Sequence, residues 1–352
     1  MKIAVYTIAL NEEQFVKRWY ESCKEADYLL IADTGSTDKT VALAKKLGIN
    51  VFNISVKPWR FDDARNAALA LLPDDIDYCI SLDMDEMLAP GWRAEMEKVK
   101  PGVNRVRYNY TWNFNEDGSP GLTFGGDKIH SRHGYRWRHP VHECLYTDRL
   151  EVKEQWIELG LWHKADNTKS RGQYLPLLEL SVHEDPMNDR NAYYYARELF
   201  FNYQYGKAIK EFKRHLSLPT AVWKPERAAS MRYIAKCSED EKEKEKWFQQ
   251  AVKECPERRE AYVELGQLYY KEGKFAECVT VCKKALAIQT RPMEYLCEEF
   301  AWGSVPWDLI AVCSYWLGDF ETALKYGTTA AELSPTDERL AGNLELYKKG
   351  IK

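Results

Sequence analysis

Long apolar runs are missing from this chain. No segment approaches the roughly 20 apolar residues that cross a bilayer as a helix, so no membrane-spanning helix is expected. The N-terminus, Met1-Lys2-Ile3-Ala4-Val5-Tyr6, lacks a signal peptide's apolar region and cleavage site and reads directly as a strand. An excess of positive charge is missing too. The formal net charge is -4, which provides no overall basic field to attract nucleic acid or an anionic membrane surface. The nine cysteines include no C-x-x-C pair, and an odd, irregularly spaced set points to reduced thiols in a cytoplasmic setting. Cys278 and Cys282 lie one helical turn apart and read as buried small hydrophobes. What remains is a chain of 352 residues, 45% of them hydrophobic, long enough for two or three domains with their own cores.

Residues 1 to about 165 alternate strand-like and helix-like segments. Lys2 to Ala9 is an apolar strand, and Glu12 to Lys24 a helix with Asn11 as its expected N-cap. Tyr28 to Ala32 is a second strand, ending at Asp33. Asp38 to Leu47 is a helix stopped by Gly48. Asn50 to Val56, Asp62 to Leu72 and Tyr78 to Leu82 continue the alternation as strand, helix and strand. This order implies an α/β domain with a mainly parallel sheet, which binds ligands beyond the carboxyl ends of its strands. The polar clusters fall at those ends: Thr7 to Glu12, Asp33 to Asp38, and Asp83 to Glu86.

In Ile80-Ser81-Leu82-Asp83-Met84-Asp85-Glu86 a short apolar run ends in Asp-x-Asp. In an extended segment Asp83 and Asp85 point to one side. Paired carboxylates at a strand end are hard oxygen ligands for Mg²⁺ or Mn²⁺, often completed by a substrate's phosphates. A segment rich in histidine and arginine follows, from Gly125-Gly126-Asp127-Lys128 through Arg132-His133, Arg136-Trp137-Arg138-His139 and His142-Glu143 to His163. Five of the seven histidines lie between His130 and His163, a concentration that favours a polar site, although no spacing matches a zinc signature.

Taken together, Thr7-Ile8-Ala9-Leu10-Asn11-Glu12-Glu13, Asp33-Thr34-Gly35-Ser36-Thr37-Asp38, Asp62-Asp63-Ala64-Arg65-Asn66-Ala67 and Asp83-Met84-Asp85 resemble the family 2 glycosyltransferases with the GT-A fold. The resemblance is strong over about the first 90 residues and weaker through residue 165. It implies a nucleotide-sugar site that includes Thr7 and Ala9, with Asn11 and Glu12 beside the base. Asp33 would accept hydrogen bonds from the base or ribose, and Arg65-Asn66 would lie under the nucleotide. Arg65 has a planar fork that suits either Asp83 or a phosphate. The resemblance also implies that Asp85 binds Mn²⁺ or Mg²⁺ directly, while Asp83 reaches the ribose and, through water, the metal. His163 resembles the late histidine that some GT-A enzymes add to the metal shell. An inverting transfer needs a base, for which Glu143 is the first candidate and Asp127 the second. Arg132, Arg136 and Arg138 are candidates for the diphosphate. A uridine nucleotide sugar is the donor favoured by the family. No Gln-x-x-Arg-Trp motif of the processive synthases occurs, so a single addition is expected.

The second half is helical and repetitive. Ala192, Ala228, Tyr262 and Trp307 open four copies that start 36, 34 and 45 residues apart, with small residues at matching offsets. This period resembles the tetratricopeptide repeat. The longest spacing leaves an insertion from Gln289 to Gly303. The expected organisation is a GT-A domain over residues 1–170, a linking segment over 171–190 and tetratricopeptide-like repeats over 191–352. Helical arrays present extended binding faces, so the repeats are expected to hold a protein, peptide or glycan acceptor. The sequence leaves oligomeric state open. Two other classes compete: a scaffold carrying a relic transferase domain, and a Mg²⁺-dependent nucleotidyltransferase. Against the latter, Thr7 to Glu13 lacks a phosphate-binding glycine loop.

Overall fold

The computed structural model describes residues 1–115, 117–165 and 172–350. It divides into two compact units, Met1–Ser181 and Val182–Lys352. The boundary expected at residues 170 and 171 lies outside the described residues. Among the described residues no helix is long and apolar enough to cross a membrane.

Among its described residues the first unit contains ten strands: β1 (Ile3–Ala9), β2 (Tyr28–Asp33), β3 (Asn50–Asn53), β4 (Tyr78–Ser81), β5 (Glu86–Leu88), β6 (Arg105–Thr111), β7 (Thr123–Ser131), β8 (Arg136–Arg138), β9 (Cys144–Tyr146) and β10 (Glu154–His163). Its helices are α1 (Glu13–Cys23), α2 (Thr40–Lys46), α3 (Phe61–Ala70) and α4 (Trp92–Met96), with α5 (Tyr174–Glu184) crossing the unit boundary. Eight strands form one sheet in the order β3-β2-β1-β4-β7-β6-β10-β5, while β8 and β9 pair separately. Strands β3, β2, β1 and β4 are parallel. Beyond β4 the sheet becomes mixed, because β7 is antiparallel to both β4 and β6, and β5 to β10.

Alternation along β1 explains why its sequence is apolar throughout. Ile3 and Val5 join Val16 and Trp19 of α1 in one core. Ala4 and Tyr6 point the other way, into a second core with Ala68 and Leu69 of α3. Both faces of the strand are therefore covered, as in other parallel sheets. The chain leaves β1 for β2 on one side and reaches β4 on the other. This reversal opens a crevice at the carboxyl ends, where ligands bind in such sheets.

Asn11 does not cap α1 as expected. Glu12 is the N-cap residue and makes no side-chain capping bond. Asn11 adopts φ 56° instead, a left-handed conformation that asparagine tolerates better than most residues. Its Oδ1 accepts from the Thr37 N–H at 2.8 Å, while its own N–H donates to Ser36 Oγ at 2.8 Å. Asp38 serves two helix starts: Oδ1 accepts from Thr40 N–H at 2.9 Å and Oδ2 from Glu13 N–H at 3.1 Å. The ends of β1 and β2 are thus tied together by short polar side chains.

The second unit is helical: α6 (Asp189–Phe201), α7 (Tyr205–Ser217), α8 (Lys224–Cys237), α9 (Glu241–Glu254), α10 (Arg259–Lys271), α11 (Phe275–Ala287), α12 (Val305–Trp316), α13 (Phe320–Leu333) and α14 (Glu338–Gly350). The helices pack as successive pairs, α6 with α7 through α12 with α13, and α14 closes on α13. The residues that mark the repeat in sequence are its packing points: Ala192, Ala196, Ala208, Ala235, Ala251, Ala285, Ala311, Ala323 and Ala330 are all fully buried. At Gly266 a Cβ would lie 2.5 Å from Cys282 Sγ, so only glycine permits this approach of α10 to α11. Cys278 and Cys282 are buried in the same core. The insertion from Gln289 to Gly303 carries a 3-10 turn, Glu299–Ala301.

Candidate active site

The Asp-x-Asp segment is a turn between β4 and β5, not a continued strand. The Asp83 N–H donates to Glu86 Oε2 at 2.8 Å, and the Glu86 N–H to the Asp83 carbonyl at 2.9 Å. The turn separates the two carboxylates that an extended segment would have aligned, and each meets different partners.

Asp83 is drawn into a partly buried charge cluster. Its Oδ1 accepts from Arg65 Nη2 at 2.7 Å and its Oδ2 from Lys128 Nζ at 2.7 Å. Lys128 also donates to Glu86 Oε1 at 2.8 Å, which accepts from the Tyr110 hydroxyl at 2.8 Å as well. Arg65 completes its fork by donating to Ser81 Oγ at 3.0 Å and, through Nε, to Glu143. Burial alone would raise the Asp83 carboxyl, but the Arg65 guanidinium and the Lys128 ammonium hold it well below the usual carboxylate range. Glu86 moves the other way, because its burial outweighs the attraction of Lys128. Burial would lower Lys128, yet Asp83 and Glu86 keep its ammonium charged.

Asp85 faces β10 rather than this cluster. His163 Nε2 lies 3.5 Å from Asp85 Oδ2. His163 Nδ1 is 3.0 Å from the Trp112 carbonyl, and the ring stacks on Trp112 with centroids 4.4 Å apart. A carbonyl can only accept, so Nδ1 carries a proton and Nε2 faces Asp85, as a donor when the ring is charged and as a free lone pair when it is neutral. Burial would lower the imidazole's pKa, but contact with Asp85 and the bond to the Trp112 carbonyl raise it above its ordinary value. A neutral imidazole nitrogen and a carboxylate oxygen at this separation suit two ligands of one divalent ion, with the second ring nitrogen fixed by a carbonyl. Asp85 and His163 therefore fit the metal that the Asp-x-Asp implies.

At the carboxyl end of β2, separated from β4 by β1, Asp33 is buried beside Ala9 in register. Its Oδ2 accepts from the N–H groups of Gly35 and Ser36, both at 3.0 Å. Its Oδ1 is buried with no hydrogen-bond partner among the described residues. A buried carboxylate oxygen without a donor is costly, and an N–H or hydroxyl from a ligand would satisfy it. Thr7 is buried within β1, and the Ala9 carbonyl accepts from the Thr34 N–H at 2.9 Å. Glu12 is buried, and its N–H donates to Thr40 Oγ1 at 2.7 Å.

Several expected site residues are not brought to these clusters. Asn66 is bound through both amide atoms to the Trp137 backbone, at 2.9 and 2.8 Å, and so docks β8 on α3. Arg132 follows β7, whose carboxyl end pairs with the amino end of β4, so it lies at the opposite end of the strand from Asp83. Its guanidinium donates to the carbonyls of Leu72 and Pro73, at 2.8 and 3.1 Å. Asp127 is paired with Arg105, because neighbouring residues of a strand face opposite ways and Lys128 takes the inward side. Arg136 pairs with Asp148 at 3.0 Å, and Arg136 and Arg138 both lie over the Tyr146 ring. Sequence reasoning missed Lys128, Glu86 and Tyr110. The signal was present in Asp85-Glu86 and Asp127-Lys128, but a pairing between β4 and β7 was needed to read it.

Residues 4–99 match the family model for glycosyl transferase family 2. An uncharacterized glycosyltransferase of Rickettsia conorii, RC0292, is 34% identical over 109 residues, which cover 30% of this chain and 37% of that protein. The chain thus spans little more than a third of the length of this relative. Among solved structures, glucosyl-3-phosphoglycerate synthase from Mycobacterium tuberculosis, in complex with Mn²⁺, uridine diphosphate and glucosyl-3-phosphoglycerate, matches with 21% identity and a TM-score of 0.29. That match covers 37% of this chain and 57% of the other. TTC0263, a TPR protein of Thermus thermophilus, matches with 18% identity and a TM-score of 0.34, over 50% of this chain and 88% of the other. The chain carries a family 2 glycosyltransferase domain at its N-terminus. Tetratricopeptide-like helical repeats follow it.

Proposed function

We propose that this protein is a metal-dependent, inverting glycosyltransferase that moves one sugar from a nucleotide-sugar donor, a uridine diphosphate sugar in the favoured form, to an acceptor. The observation that carries this reading is the combination of an Asp85–His163 pair 3.5 Å apart with the buried Oδ1 of Asp33, which has no partner among the described residues; Asp33 ends β2 and Asp85 follows β4, the two strands that flank β1. Asp33 takes a hydrogen bond from the base or ribose. Asp85 and His163 hold Mn²⁺ or Mg²⁺, which as a Lewis acid would stabilise the departing diphosphate.

The remaining steps belong to the chain's own residues. Arg65, fixed by Ser81, Asp83 and Glu143, anchors the floor of the site. Asp83 is kept ionised by two cations and orients the ribose end of the donor. Glu143 is the base of the reading: Arg65 holds Oε1, and Oε2 takes the proton of the acceptor hydroxyl as it attacks. Asp127 leaves the list of bases because it is tied to Arg105 on the other face of β7. The helical repeats hold the acceptor, a protein, peptide or glycan.

The test is a thermal-shift panel of nucleotides and nucleotide sugars with Mn²⁺, Mg²⁺ or EDTA. At 100 times its dissociation constant a ligand stabilises the fold by about 2.7 kcal/mol. A metal-dependent shift with one nucleotide family, lost in Asp85→Ala, is the expected result. No shift with any nucleotide would defeat the reading and favour a binding scaffold.

A further inference from the structure

The helical unit contains a second polar cluster, far in sequence from the carboxylates of β4 and β5. Asp189, the first residue of α6, His215 in the last turn of α7, and Glu226 in the first turn of α8 each direct one ligand-type atom to a common point. These atoms all lie within 4.8 Å of one another. His215 is completely buried and Glu226 nearly so. His215 Nδ1 is 2.9 Å from Ser230 Oγ. Its Nε2 is buried without a hydrogen-bond partner among the described residues. That nitrogen lies 3.6 Å from Glu226 Oε2, too far for a hydrogen bond.

Two carboxylates converging on a buried, unsatisfied imidazole nitrogen form a costly arrangement unless a cation joins them. The separation is informative. Two ligands held at about 2.1 Å in a tetrahedral zinc site stand roughly 3.4 Å apart, close to the 3.6 Å found here. The surroundings also resemble those of metal-bound histidines, whose second ring nitrogen is held by a hydrogen bond. Here Ser230 holds it, one helical turn after Glu226 on the same face of α8. Glu226 has its other oxygen fixed, since Oε1 accepts from the Tyr295 hydroxyl at 2.6 Å. Tyr295 belongs to the insertion that breaks the repeat period, and it stacks on Tyr194 of α6. The insertion thus contributes directly to the cluster.

We propose that Asp189, His215 and Glu226 bind a divalent transition-metal ion, Zn²⁺ in the first instance. One imidazole and two carboxylates form an N/O set suited to that ion, with water in the fourth place. The ion joins α6, α7 and α8, and so fastens the first repeat to the second.

The test uses the full-length chain carrying Asp85→Asn, which disables the other candidate metal site. The metal-free protein is titrated with Zn²⁺ against a chromophoric chelator, and separately with Co²⁺ by visible spectroscopy. The expected result is one Zn²⁺ per chain, bound at least 100-fold more weakly after Asp189→Asn or His215→Gln. Co²⁺ should give d–d bands without a thiolate charge-transfer band. Asp189 is only half-buried at a helix start, so its amide replacement tests the site even if the His215 variant fails to fold. Unchanged affinity in Asp189→Asn, a cobalt–thiolate band or no binding by the parent would each overturn the proposal.

Discussion

Lys128→Met removes the ammonium that bridges Asp83 and Glu86, while keeping most of the side chain's length. Nζ lies 2.7 Å from Asp83 and 2.8 Å from Glu86. At an effective dielectric constant of about 20, each contact represents about 6 kcal/mol of direct attraction. Desolvation of the ammonium and repulsion between the carboxylates offset most of this. Removing one partner of a buried ion pair typically costs about 3–5 kcal/mol, so unit 1 should lose about 3 kcal/mol. The local effect can be read by hydrogen exchange of peptides spanning residues 78–88 and 123–131 in the full chain. The loss should have a particular pH dependence. Burial already lifts Glu86 above its ordinary value, and without Lys128 it rises further. A group with a raised folded pKa contributes its stabilisation below its ordinary value and loses it as pH rises through the folded one. The defect should therefore be full at neutral pH and shrink on acidification. Adding Glu86→Gln should recover part of it by removing one of the two opposed charges. Unchanged protection in Lys128→Met at neutral pH, or an equal deficit with and without Glu86→Gln, would refute this account.

The other predictions are more local. His130 is fully buried and its pKa is pushed down to about 4 by that burial, so the unfolded chain takes up the proton first. Stability should be complete above the ordinary value of 6.5 and fall between 6.5 and about 4, by about 1.4 kcal/mol per pH unit. Urea unfolding across that range should lose this slope in His130→Gln. Asp33→Asn should weaken nucleotide binding by about 10- to 100-fold in calorimetry, the cost of a hydrogen bond to a charged group. Circular dichroism should stay unchanged, and full affinity would remove Asp33 from the site. Gly266→Ala should destabilise the repeats by about 1–3 kcal/mol through overpacking against Cys282, measured by thermal melting. Gly206→Ala, with open space around it, is the control.

The order of strands and helices as far as β4 was legible because periodicity changes from segment to segment, and short apolar runs such as Ile3-Ala4-Val5-Tyr6, bounded by polar turn residues, read as strands buried on both faces. The repeat was legible for a related reason. Ala192, Ala228 and their counterparts mark places where helices approach too closely for larger side chains. Distances between side chains were less accessible. Asn11 reads as a cap from its type, yet its bond to Thr37 depends on where the next strand ends. Asp127 and Lys128 are equally polar, and the pleat of β7 decides which faces Asp83.

By itself the sequence determined the α/β beginning, the helical repeats and the strand ends at which polar residues gather. These follow from local propensity and from the spacing of apolar and small residues. Tertiary structure alone decided that the Asp83–Asp85 turn splits its carboxylates, one toward Arg65 and Lys128 and the other toward His163. It alone brought His215 to Glu226 across a helix boundary. Charge pairing and ligand geometry depend on distances of a few ångströms between residues remote in the chain, and only packing sets those distances.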